Sequence, residues 1–190
     1  MSGIGLVLAR MSAALERAGI PFMIAGSFAS TTHGLPRATQ DLDVVIDPPD
    51  IAAIEALLRE FPEAAYYFDR DAALDAFRRR SMFNLIDQET GWKVDFIIRK
   101  RRAFSEGEFS RRQRITLAGV DVFVATAEDT IIAKLEWSRQ SGGSERQRRD
   151  VAGILATSRE NLDGAYLQRW VAELQLAGEW KTACETEPIG

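Results

Sequence analysis

The stretch IAGSFASTTHGLPRATQDLDVVID, residues 24–47, decides the fold: it leads from a glycine turn to an apolar strand that carries two carboxylates. Side chains alternate across a strand, so Asp41 and Asp43 point one way while Leu42 and Val44 point the other. Their Cα atoms lie about 6.6 Å apart at ~3.3 Å per residue. Like charges at that spacing repel and need a partner. A surface arginine, water on a solvated face, and a divalent cation are the three candidates. Hard cations such as Mg²⁺ bind through one or two carboxylates plus substrate phosphates.

A third acid fits the same pattern. In KVDFIIRK, residues 93–100, Val94, Phe96 and Ile98 share one face, and Asp95 lies on the other with Lys93. If the two strands are neighbours, Asp95 joins Asp41 and Asp43. Three carboxylates suffice for two metals about 4 Å apart, one activating an attacking oxygen and the other steadying a leaving phosphate. Gly26 and Ser27 stand at a strand-to-helix junction. Gly26 permits close backbone approach, and Ser27 offers a hydroxyl beside helix N-terminal N–H groups that bind phosphate readily.

The rest of the chain frames these residues. A 46% hydrophobic fraction supports a packed core, and a net charge of −4 with interspersed signs does not suit a protein held to nucleic acid by bulk charge. The basic runs Arg78–Arg80, Arg99–Arg102 and Arg111–Arg112 read as solvated faces or as a local patch. A single cysteine, Cys184, excludes an intrachain disulfide and fits a cytoplasmic setting. The lone histidine, His33, cannot build a zinc site, and the four tryptophans read as core. No segment is apolar enough to span a membrane.

Periodicity predicts an N-terminal amphipathic helix with Leu8, Met11 and Leu15 on one face, ending at Gly19. A strand at 22–25 and a short helix closed by Gly34 follow. Asp47 is expected to cap the next helix, with Pro48 in its first position. Strands are expected near 66–68, 82–87, 92–98, 114–117 and 120–124, with a polar helix near 71–79 and an irregular basic stretch after residue 98. Thr126 and Asp129 resemble a capping box, and Ser144 with Gln147 a second one. A last helix is expected over about 163–176, with a loose tail. The expectation is an α+β fold: a mixed sheet with flanking helices over 1–125 and a helical C-terminal part over 126–190.

An apolar-Gly-Gly/Ser turn, a spacer of nine to thirteen residues, then Asp-apolar-Asp is the signature of the DNA polymerase β-type nucleotidyltransferase superfamily. This chain resembles it through Ala25-Gly26-Ser27, thirteen intervening residues, and Asp41-Leu42-Asp43-Val44. The flank LPRATQDLDVVID and the later AEDTIIAKLEW and GGSERQRRDVAGIL look like the AbiEii-type branch, which includes toxins of bacterial toxin–antitoxin systems. The resemblance implies a nucleotidyltransferase fold and a Mg²⁺-dependent transfer of NMP from an NTP to an acceptor hydroxyl on RNA or protein. It implies metal binding by Asp41 and Asp43, with Asp95 as third acid and base. Gly26 and Ser27 would hold phosphates. Lys134 would contact the nucleotide, and Arg149 and Asp150 match a helix of that branch by motif only. Arg37 and Thr39, just before the acid strand, touch phosphate or pair with surface acids. A neutralising antitoxin partner is also implied. The rival readings are a non-catalytic nucleotide- or partner-binding scaffold and a metal-dependent phosphohydrolase.

Overall fold

The computed structural model describes residues 3–36 and 38–188. In chain order the elements are α1 (Gly3–Arg17), β1 (Phe22–Ile24), α2 (Gly26–His33), β2 (Asp41–Ile46), α3 (Ile51–Arg59), β3 (Tyr66–Phe68), α4 (Arg70–Arg79), β4 (Met82–Asp87) and β5 (Lys93–Ile98). They continue as α5 (Ala103–Arg111), β6 (Gln113–Leu117), β7 (Val120–Val124), α6 (Ala127–Gln140), α7 (Glu145–Ser158), α8 (Gly164–Glu173) and α9 (Ala177–Cys184). The α+β expectation holds.

Contacts divide the chain into two compact units. One comprises the residues up to Ile24 together with Thr39–Val124; the other comprises Ala25–Ala38 and everything from Ala125 onward. The expected division at 125/126 left α2 with the sheet. In the structure α2 groups instead with the C-terminal helices, because its small residues pack against α6 and α7.

The first unit is built on a seven-stranded sheet in the order β3-β4-β5-β2-β1-β7-β6. β2 pairs with β5, and β1 with β7, in parallel; the other pairings are antiparallel. Alternation gives the central strands one apolar face, on which Leu42, Val44, Ile46, Val94, Phe96, Ile98, Phe83 and Leu85 are all buried. The predicted stripe of α1 is buried as expected, and Gly19 ends that helix with φ +65°, a left-handed turn that suits glycine.

Two local expectations are corrected in this unit. The N-cap of α3 is Asp50, whose side chain accepts from the Ala53 N–H at 2.9 Å, not Asp47. The residue before a proline is pushed out of the α region, so Pro48-Pro49 delays the helix, and Asp47 instead pairs with Arg99 at 2.8 Å. The basic stretch read as irregular contains α5, whose Phe104 and Phe109 are buried. Arg102 stacks on Phe104 at 5.4 Å and Arg112 on Phe109 at 4.2 Å, so charge-rich flanks cover an apolar anchor.

The second unit is helical. Thr126 caps α6 by accepting from the Asp129 N–H at 3.2 Å. Its hydroxyl also donates to Asp129 Oδ2, and Tyr166 donates to Oδ1, so this fully buried carboxylate is well solvated by protein. The second expected box does not form: Ser144 makes no side-chain cap bond. The expected loose tail contains α9, and Asp163 caps α8.

α2 and α7 pack closely at Gly34. A Cβ placed there would lie 2.9 Å from the Ile154 backbone N and 2.9 Å from the Ser30 carbonyl O. Gly34→Ala is therefore expected to cost about 1–3 kcal/mol through overpacking. At ~2–4 °C per kcal/mol for a chain of this size, calorimetry should record a Tm several degrees lower.

Candidate active site

The parallel pairing of β2 with β5 sets Asp41 opposite Lys93 and Asp43 opposite Asp95. Paired residues on neighbouring strands face the same side of a sheet, so all four ionisable groups share the face opposite the apolar one. Asn84 of β4 stands opposite Asp95 on the same face. The adjacency that the sequence left conditional is thus present, and Asp95 is beside the Asp41–Asp43 pair.

Asp95 is 6% exposed. Its Oδ2 accepts from the Lys93 ammonium at 2.9 Å, and its Oδ1 is buried with no hydrogen-bond partner. The hydrogen bond to Asp95 is the main reason Lys93 is held above the ordinary lysine range. Burial opposes it, and the charges of Asp95, Asp41 and Asp43 add to it. A raised lysine value means the pair stabilises the fold fully below about pH 10.4, and that contribution is lost as pH rises through the folded-state value. Thr39 holds the start of β2, where the Asp41 N–H donates to its hydroxyl at 3.1 Å.

Whether these residues suit a metal is decided by the donor set. Among the described residues, no group of three or more His, Cys, Asp or Glu side chains is gathered closely enough to cage an ion. The acids instead form a row of hard oxygen donors, one of them a buried carboxylate oxygen without a partner. A row of that kind fits Mg²⁺ arriving with polyphosphate and water ligands of its own, and does not fit a resident structural ion. Lys93 supplies the cation that the row otherwise lacks.

In the second unit, Gly26 opens α2 with φ +56°, a conformation that favours glycine. The N-cap, Ala25, has no side-chain oxygen with which to cap the first turn. Ser27 is buried, and its hydroxyl accepts a 3.1 Å hydrogen bond from Arg146 Nη2 on α7. Sequence reading missed Arg146. Its only signal was a place in the basic run ERQRRD, where the motif resemblance pointed to Arg149 instead. His33 is a structural residue here, with Nε2 bonded to the Ala125 carbonyl at 2.8 Å.

Lys134 is 3% exposed, and its ammonium donates to Asp150 Oδ2 at 2.6 Å and to Gln147 Oε1 at 3.0 Å. A buried ammonium needs acceptors, which is why Gln147 turns to Lys134 and does not close a capping box. Arg149 lies on the exposed side of α7 and pairs with Glu145. Arg37 lies outside the described residues.

Comparison with known proteins gives the fold a context. No family model and no curated protein matches the chain. Solved structures do. ANT(2'')-Ia in complex with adenylyl-2''-tobramycin aligns with TM-score 0.59 at 11% identity, over 92% of this chain and 98% of that one. The lincosamide antibiotic adenylyltransferase LnuA, lincomycin-bound, aligns with TM-score 0.53 at 12% identity, over 81% and 96%. An antigenic nucleotidyltransferase-like protein from Paracoccidioides brasiliensis aligns with TM-score 0.53 at 16% identity, over 100% and 96%.

The chain has the nucleotidyltransferase fold. The seven-stranded mixed sheet and the helices described above make up that fold in this chain.

The Lys134–Asp150 pair generates a prediction that separates structural from substrate-contacting roles. Lys134→Met strands a buried carboxylate and is expected to cost about 3–5 kcal/mol in urea unfolding. Adding Asp150→Leu should restore most of that loss, because a matched apolar pair strands no charge.

Proposed function

We propose that this protein is a divalent-metal-dependent nucleotidyltransferase that moves an NMP from an NTP to a hydroxyl of RNA or protein, with the α–β phosphoanhydride bond broken and pyrophosphate released. The observation that carries the reading is the register of Asp43 opposite Asp95, with the Asp95 Oδ1 buried and without a partner, within a nucleotidyltransferase fold. Such an oxygen is costly unless something binds it. The row of acids would be a poor choice for a face whose only task is solubility.

In this reading Asp41, Asp43 and Asp95 hold Mg²⁺, which when bound neutralises phosphate charge and raises the acidity of the acceptor hydroxyl. Asp95 also accepts the proton of that hydroxyl. Lys93 offsets one of the three negative charges of the acid row. Following the sequence signature, Gly26 and Ser27 are assigned the β- and γ-phosphates, and Arg146, bonded to Ser27, is assigned to the same group. Arg37 and Thr39 remain candidates for phosphate contact. Lys134 enters with Asp150 as a pair that fixes α7 against α6, with Arg149 beside it. Rate enhancement comes from positioning and electrostatics, as in phosphoryl transfer generally.

The acceptor proposal rests on the AbiEii-like flank LPRATQDLDVVID, which favours a toxin acting on RNA or protein and neutralised by an antitoxin. The solved structures of similar fold include enzymes whose acceptors are antibiotics, and that acceptor class is the comparison arm of the test.

The test is incubation with labelled NTPs, Mg²⁺ and cell extract, with aminoglycoside and lincosamide in parallel tubes. Labelled macromolecule supports the proposal. Labelled antibiotic would reassign the acceptor, and free phosphate alone would indicate hydrolysis. Nucleotide binding with no turnover would indicate a scaffold. Asp43→Asn is expected to reduce transfer by on the order of 10²–10³-fold or more while leaving thermal stability near that of the wild type. Unchanged labelling in that variant would sink the mechanism.

A further inference from the structure

Two of the three basic runs of the sequence meet at one place that the proposed reaction does not use. A cleft of about 380 Å³ in the first unit is lined by Gly19, Pro21, Asp47, Pro48, Pro49, Arg80, Arg99 and Arg101. It opens at the C-terminal ends of β2 and β5, whereas Asp41 and Lys93 begin those strands. Asp47 lies six positions beyond Asp41, roughly 20 Å along the strand at ~3.3 Å per residue. The cleft is therefore separate from the acid row.

Its charges do not balance internally. Three guanidiniums line it beside a single carboxylate, Asp47. Arg99 gives Nη2 to Asp47 at 2.8 Å, while its Nη1 is buried with no hydrogen-bond partner. Glu106 comes no nearer to that nitrogen than 3.8 Å, from an exposed position. Arg80 adopts φ +50° at the end of α4, where glycine or asparagine is the usual residue. Its guanidinium donates to the Arg99 carbonyl at 2.6 Å, which fixes it at the cleft wall. Burial, with added repulsion from Arg101 and Arg99, holds Arg80 below the ordinary arginine value, and Asp47 only partly opposes this. A residue in a disfavoured backbone conformation, crowded by like charges, points to a role outside folding.

We propose that this cleft binds the phosphate of a small phosphomonoester, with Arg99 Nη1, Arg80 and Arg101 as its donors. A phosphomonoester carries about −1.5 to −2 charge at pH 7, which matches the unbalanced guanidiniums, and arginine forks suit its oxygens. The cleft leaves room beyond the phosphate, in the size range of small-ligand sites.

The test is a titration of the full chain with phenyl phosphate and, separately, inorganic phosphate, read from backbone amide NMR shifts at fixed ionic strength. Sodium chloride serves as the blank. The shifts are expected at Gly19, Arg80 and Arg101, and not at Asp41 or Asp43. Arg101 is exposed, so Arg101→Gln should fold normally and bind at least fivefold more weakly. Arg169→Gln, which removes the same charge on α8, should bind as the wild type does. Tighter binding of phenyl phosphate assigns an organic monoester, and equal or tighter inorganic phosphate assigns the free ion; both keep the phosphate site. Shifts reproduced by chloride, shifts spread over every basic surface, or equal weakening in the two variants would overturn it.

Discussion

The parallel register between β2 and β5 is the constraint on which the rest depends. It runs from Asp41–Lys93 to Ile46–Ile98, so two strands with the same alternation lie in phase. One face becomes wholly apolar, and the other gathers three carboxylates and an ammonium. Neighbouring strands lie about 4.8 Å apart, close enough for Asp43 and Asp95 to repel. Two charges at 4 Å interact by roughly 4 kcal/mol at an effective dielectric constant of 20. The Lys93 ammonium offsets part of this, and a bound cation would offset more. A one-residue slip would turn the charges into the core and the apolar set outward, so the register tolerates no shift.

The same strands carry the opposite charge sign at their other end. The Arg99 N–H donates to the Ile46 carbonyl, continuing the ladder one step past β5. That step brings Arg99 beside Asp47, and the turn after α4 brings Arg80 to the same point. One parallel pairing thus sets an acidic row at one end and an arginine cleft at the other. In the helical unit the organising contacts are different in kind. Asp129 with Thr126 and Tyr166, and Lys134 with Asp150 and Gln147, are buried polar groups met by partners of fixed geometry. Satisfied networks of this sort favour one helix arrangement over its neighbours, because any other strands a charge.

Much of this was legible from local pattern. The α1 stripe, the Thr126 cap and the Gly19 stop appear as expected, and the strand limits fall within one residue of expectation; all depend on near neighbours in sequence. The misses came where a distant group outcompeted a local one. Asp47 left a capping role for Arg99, and Gln147 left one for Lys134. α5 was hidden because its flanking arginines lie over Phe104 and Phe109, so a polar sequence covers an apolar anchor. The resemblance implied a nucleotide contact for Lys134, and only its partners on α7 explain its burial.

By itself the sequence determined which side of each strand bears charge, since alternation follows from backbone geometry alone. It therefore placed Asp41 with Asp43, and Asp95 with Lys93, as two separate pairs. Only tertiary structure decided that the pairs meet, because strand order depends on contacts between residues about fifty positions apart that no local period encodes. It likewise decided that arginines from separate runs face one cleft, that Arg146 reaches Ser27, and that Lys134 turns inward to Asp150. In each case the cause is long-range: a buried or crowded charge takes the partner that folding brings within reach.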